Sequence, residues 1–157
     1  MALRYIGVDP DTKNGGSPTV WLDPDATEIV IQGWMLNEPL GADAHQAHTA
    51  ASPVPSAVRV PVRLATVLRQ ACEAADRLPV GTVHAAELVW PGALLDAAAG
   101  EIIVRGWSPD DGLLAQIHQT PAPDHAPGIP AGEAAVRLPV HQVAALREAC
   151  DAADRLG

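Results

Sequence analysis

The chain has 157 residues, which suits one ordinary domain or two small ones. Apolar residues make up 48% of it, yet there is no Phe and one Tyr, so core volume has to come from Val, Ile, Leu and four Trp. Nineteen acidic residues against ten basic give a net charge of −9, both halves are acidic, and no Lys/Arg cluster is present to track phosphates; direct nucleic-acid binding is therefore not expected.

At the N-terminus, MALRYIGVDPDTKNGG lacks the apolar core of a signal peptide. No stretch approaches the roughly 18 uninterrupted apolar residues of a membrane span, so the expectation is a cytoplasmic protein that does not engage membranes. Asp9, Asp11 and Asn14 resemble a calcium loop only in outline, because Lys13 stands where an acceptor is needed; the run reads as a turn. PTVWLD and EIVIQGW are β-rich runs separated by the turn-forming PDAT, which predicts a hairpin. Setting Asp23 opposite Glu28 places Val20, Leu22, Ile29 and Ile31 on one face, and Trp21, Val30, Gln32 and Trp34 on the other. A loop follows from about Asn37 to Ser56, then the short strand AVRV. Pro61 stands where a first helical turn tolerates a missing N–H. Leu64, Leu68, Ala71, Ala75 and Leu78 then recur at helical spacing, with Arg69, Glu73 and Arg77 as an i, i+4 ladder on the solvent side.

After a Pro79-Val80-Gly81 joint, the pattern returns. VRVPVRLATVLRQACEAADRL, Val58 to Leu78, and VRLPVHQVAALREACDAADRL, Val136 to Leu156, share 13 of 21 positions at an offset of 78. EIVIQGW recurs as EIIVRGW, Glu101 to Trp107, at an offset of 73, and His45-Gln46 and His118-Gln119 keep that offset. The five extra residues fall in the Pro-rich APDHAPGIPAGE. Val20-Trp21 is matched with Val89-Trp90, which implies a longer hairpin tip in the second copy. The second helix carries Val143, Leu146, Ala149, Ala153 and Leu156, laddered by Arg147, Asp151 and Arg155. The expected fold is thus α+β: a tandem duplicated ββ-loop-βα module, residues 1–78 and 79–157, forming a pseudo-two-fold antiparallel sheet with two amphipathic helices. One such module alone buries little apolar surface, whereas two related copies cover each other.

GSPTVW, EIVIQGW, VRVP and REACDAADRL resemble a group of small uncharacterised actinobacterial proteins. Those proteins usually hold a single ββ–βα unit and are often encoded near helix-turn-helix regulators. The resemblance implies an accessory or regulatory association with a transcription regulator. It supplies no catalytic residues to carry over.

Comparing the two copies filters candidate sites. His45 and His48 form an H-x-x-H pair that would face one metal on a helix, but Pro121 stands at the second position in the other copy, and no metal or cofactor is expected. The recurring His45 and His118 suit a ligand site between the copies, or simply anchor the loop. Cys72 and Cys150 occupy equivalent helix positions; Arg69 and Arg147, three residues away, offer a cation, but small buried side chains are the simpler reading. No nucleophile elbow or phosphate loop occurs, so no catalytic residue is assigned. Trp21, Trp34, Trp90 and Trp107 are the strongest interaction candidates: they form either an exposed aromatic anchor or a buried contact between copies. The leading functional expectation is a non-enzymatic protein-interaction module, monomeric or homodimeric. The alternatives are a small-molecule-binding or enzyme module with its site between the repeats, and a purely oligomerising protein.

Overall fold

The computed structural model describes residues 3–8, 18–23, 27–35, 55–78, 92–109, 111–119 and 133–155. Seven strands are β1 (Arg4–Val8), β2 (Thr19–Asp23), β3 (Glu28–Met35), β4 (Pro55–Pro61), β5 (Gly92–Asp96), β6 (Glu101–Trp107) and β7 (Glu133–Pro139). Three helices are α1 (Ala65–Ala75), α2 (Asp111–Gln119) and α3 (Val143–Asp154), and single 3-10 turns lead into α1 and α3. The fold is α+β, with one antiparallel sheet carrying all seven strands.

The first hairpin forms in the register its alternation implies, with Asp23 opposite Glu28 and Trp21 opposite Val30. Its neighbours are less obvious. β3 pairs along its length with β7, from Glu28 opposite Pro139 to Trp34 opposite Glu133. β4 pairs along its length with β6, from Pro61 opposite Glu101 to Pro55 opposite Trp107. Each half of the chain therefore gives its last strand, β4 or β7, to the hairpin of the other half. Short bridges, Trp34 to Arg59 and Trp107 to Arg137, tie the two exchanges together. β1 and β5 lie at the two ends of the strand order.

The exchanges match in detail. The Val62 N–H donates to the Gly100 carbonyl at 3.1 Å, and the Val140 N–H donates to the Thr27 carbonyl at 3.0 Å. Each helix thus starts against the hairpin tip of the opposite half, satisfying one of the N–H groups that a helix start leaves unpaired. Both tip residues hold the left-handed backbone these connections need, Thr27 at φ 54° and Gly100 at φ 66°. Where the strands cross, the backbones come too close for any side chain. A Cβ on Gly33 would lie 2.8 Å from the Arg59 carbonyl, and one on Gly106 only 2.3 Å from the Arg137 carbonyl.

Two cores sit on opposite faces of the sheet. On one face, Leu64, Leu68, Ala71 and Ala75 of the first helical segment and Val143, Leu146, Ala149 and Ala153 of α3 pack on Val20, Leu22, Ile29, Ile31, Ile102 and Val104. Each fully buried Leu or Ile here contributes about 1.5–3 kcal/mol against the extended-chain reference. On the other face, Leu113 and Ile117 of α2 cover Trp21, Val30 and Ala135. At nine residues α2 is too short to be helical on its own, so this docking stabilises it.

Three sequence expectations need correction. The second half holds a helix, α2, in the region read as a loop, and β1 precedes the first hairpin. The match of Val20-Trp21 to Val89-Trp90 is replaced: Leu95 faces Ile102 and Asp96 faces Glu101, so Ala93 and Leu94 stand where Val20 and Trp21 do, and the two hairpin tips are equally long. Arg69 reaches across to α3, donating to Asp151 at 2.9 Å and Asp154 at 2.5 Å rather than building a ladder along its own helix. Arg147 of α3 answers by pairing with Asp76. This guanidinium holds the Asp76 carboxyl below the usual carboxylate range.

Candidate functional site: the outer face of the sheet

Alternation along the strands sets the outer face, the one turned away from α1 and α3. It carries Trp21 on β2, Trp34 on β3, Arg59 on β4, Leu94 on β5, Ile103, Arg105 and Trp107 on β6, and Arg137 on β7. The Trp21 and Trp107 rings are enclosed within the chain, so neither is available as a surface anchor in this fold. Trp34 is partly exposed. Trp90 and His45 lie outside the described residues, as do His48, Asp9, Asp11, Asn14 and the Pro-rich insertion. His118 is on the last turn of α2.

At the two crossing points the outer face holds matching charged clusters. Arg59 donates from Nη1 to Glu101 at 2.9 Å and from Nε to the Met35 carbonyl at 3.1 Å, and its guanidinium lies 5.8 Å from the Trp34 ring centroid. Arg137 donates from Nε to the Ser108 carbonyl at 2.9 Å and pairs with Glu28 at 3.5 Å. In each cluster an arginine from one half joins a glutamate from the hairpin of the other half. The planar fork of arginine suits this work, because it meets a carboxylate and a carbonyl at once and lies over an aromatic face. Breaking one partner would strand a partly buried charge, so these pairs fix the crossing even where their net stabilisation is modest. Sequence reasoning gave Arg59 and Arg137 no role. Their recurrence within VRVP and VRLP, two residues before a shared proline, was the available signal.

Beneath the opposite face, Cys72 and Cys150 are buried and free. The Cys150 thiol points at the Ala65 carbonyl, 3.8 Å away. Burial, with the neighbouring Cys150 adding to it, pushes the Cys72 thiol up to about 12, against the opposing pull of Arg147. Burial pushes Cys150 up to about 11, and Arg69 only partly offsets this. Both thiols are therefore protonated at neutral pH, the opposite of what a nucleophile requires. In the unfolded chain the same thiols ionise near about 8.5. Because the folded values are higher, the thiol contribution to stability is intact below that pH and is lost as pH climbs toward 11–12. Urea midpoints should accordingly fall above about pH 9, and the fall should shrink in a Cys72→Ala, Cys150→Ala double variant. An unchanged alkaline slope in that variant would remove the thiols from the account.

Among the described residues no group of three or more His, Cys, Asp or Glu side chains is placed to hold a metal ion, and no helix is long and apolar enough to cross a membrane. No protein-family profile, curated protein or solved structure matches the chain.

Proposed function

We infer that this chain is a non-catalytic protein-interaction module that offers the Trp34 side of its outer sheet face to a protein partner, in the role of an accessory to a regulator. The supporting observation is Trp34 itself: partly exposed, and steadied by Arg59 at the point where the two halves cross. A tryptophan held rigid beside an arginine has the make-up of an interface hot spot, since it offers large contact area at low entropic cost. On the same face Leu94 is 52% exposed and lies opposite Ile103, extending an apolar surface along the sheet. The charged groups nearby neutralise each other, an arrangement suited to holding a surface rather than to moving protons.

The test compares wild type and Trp34→Ala as baits in native lysate. A protein captured in stoichiometric amount by wild type, and weakened at least about 30-fold by Trp34→Ala, is the expected result. Unfolding midpoints within about 2 kcal/mol of each other would show that the variant still folds. Failure of the wild type to capture any stoichiometric protein counts against the reading, as does capture that ignores the substitution.

A further inference from the structure

A groove of about 230 Å³ runs between edge strand β1 and α1, at the far end of the sheet from β5, and Arg4, Ile6, Gln70, Glu73, Ala74 and Arg77 line it. Gln70, Glu73 and Ala74 of α1 stand at i, i+3 and i+4 on one stripe facing the strand, and Arg77 follows in the turn that ends the helix. The groove carries two guanidiniums against one carboxylate. Arg59, Arg69, Arg137 and Arg147 are each engaged by carboxylates. Arg4 and Arg77 make no ion pair among the described residues, although the whole chain carries a charge of −9. Two guanidiniums thus share a small concavity with one carboxylate, one amide, part of Tyr5 and the apolar surface of Ile6 and Ala74.

The groove also breaks the match between the halves. Glu148, Asp151, Ala152 and Arg155 stand on α3 and the turn that ends it where Gln70, Glu73, Ala74 and Arg77 stand on α1 and the turn that ends it, but Asp151 is engaged by Arg69. The bulge between Tyr5 and Gly7 kinks β1 at the groove, which disfavours the addition of a long strand to this edge. At about 230 Å³ the space is below the roughly 300 Å³ at which pockets for drug-sized ligands begin.

We propose that this groove binds a small apolar α-amino acid. Arg4 and Arg77 hold its carboxylate, Glu73 takes its ammonium, and Ile6 and Ala74 receive its side chain. Paired charge-assisted hydrogen bonds to a carboxylate are the strong contacts here, and the ammonium contact separates an amino acid from a simple carboxylic acid. The site is remote from Trp34 and does not depend on the interaction reading.

The test is calorimetry and amide-shift titration of the full chain with L-leucine as the probe, and with 4-methylpentanoate and leucinol as analogues lacking the ammonium and the carboxylate. Saturable leucine binding is expected, with shifts concentrated at residues 4–6 and 70–77. Arg4→Gln, Arg77→Gln and each analogue should weaken it at least about tenfold, and Glu73→Gln should weaken leucine but not 4-methylpentanoate. Arg4, Glu73 and Arg77 are exposed, so these variants keep their fold, which circular dichroism checks. The proposal is overturned if leucine and the other apolar amino acids all fail to saturate, if both arginine variants bind as wild type does, or if leucinol binds as tightly as leucine.

Discussion

Gly106→Val is expected to destabilise the protein by about 4 kcal/mol or more, and Gly106→Ala by about 3 kcal/mol. The reason is specific to the crossing of β6 and β7. A Cβ at Gly106 would lie 2.3 Å from the Arg137 carbonyl oxygen and 3.0 Å from its carbon. The obstruction is backbone, and that backbone is held by the β3–β7 ladder on its other side, so no rotamer change relieves it. Gly33 faces the same crossing in the other half, but its Cβ would meet the Arg59 carbonyl at 2.8 Å, so Gly33→Ala should follow in the same direction with a smaller cost. Gly100 supplies the contrast. It has no atom within 4 Å of an added Cβ and needs its glycine only for φ 66°, so Gly100→Ala should cost about 1 kcal/mol. Urea midpoints at constant slope give the ranking. If Gly106→Ala falls within about 1 kcal/mol of wild type, the strands do not approach as closely as described.

The hairpin, its register and its two faces were legible because a period of two over two short runs leaves a single in-register solution once Asp23 is set opposite Glu28. The buried stripes of α1 and α3 were legible because Leu68, Ala71 and Ala75, and Leu146, Ala149 and Ala153, recur at helical spacing. Alternation says which face a residue takes but not which strand lies beside it. The pairing of β4 with β6 and of β7 with β3 is long-range, and nothing in VRVP or VRLP distinguishes its own hairpin from the other one. β1 was missed because a bulge interrupts its alternation within five residues. α2 was missed because DGLLAQIHQ has Gly112 in its first turn and becomes helical by docking Leu113 and Ile117 on Trp21 and Val30. The second hairpin was misaligned through Trp90, since a tryptophan is a tempting partner for Trp21. The pairing puts Leu94 there instead, and the exchange of an enclosed indole for a half-exposed leucine is where the two outer faces diverge most. At the candidate site, the tryptophans stand out in the sequence, but the enclosure of Trp21 depends on α2, which the sequence pattern does not reveal.

Cleaving the chain once between its halves is expected to leave the particle intact. A protease recognition sequence placed after Pro79 divides the polypeptide into a piece ending with α1 and a piece beginning before β5. If each half folded on its own hairpin, cleavage would release two small domains. Strand exchange predicts otherwise. The first piece retains β3 but has lost β7, and it retains β4 but has lost β6. Parting the pieces would strip both seven-residue ladders, expose Ile29, Ile31, Ile102 and Val136, and break the Arg69–Asp151 and Arg147–Asp76 pairs between the helices. Exposing so many buried aliphatic side chains at about 1.5–3 kcal/mol each far exceeds what a small domain can spare. The two pieces should therefore co-elute in equal amounts on size exclusion at micromolar concentration. They should separate only when urea unfolds the whole particle, at a midpoint that now depends on protein concentration, because unfolding has become dissociation. Two separately eluting pieces that each retain strand signal by circular dichroism would show that the ladders close within each half. In that case the reciprocal pairing of β3 with β7 and β4 with β6, on which the placement of Trp34 rests, would have to be abandoned.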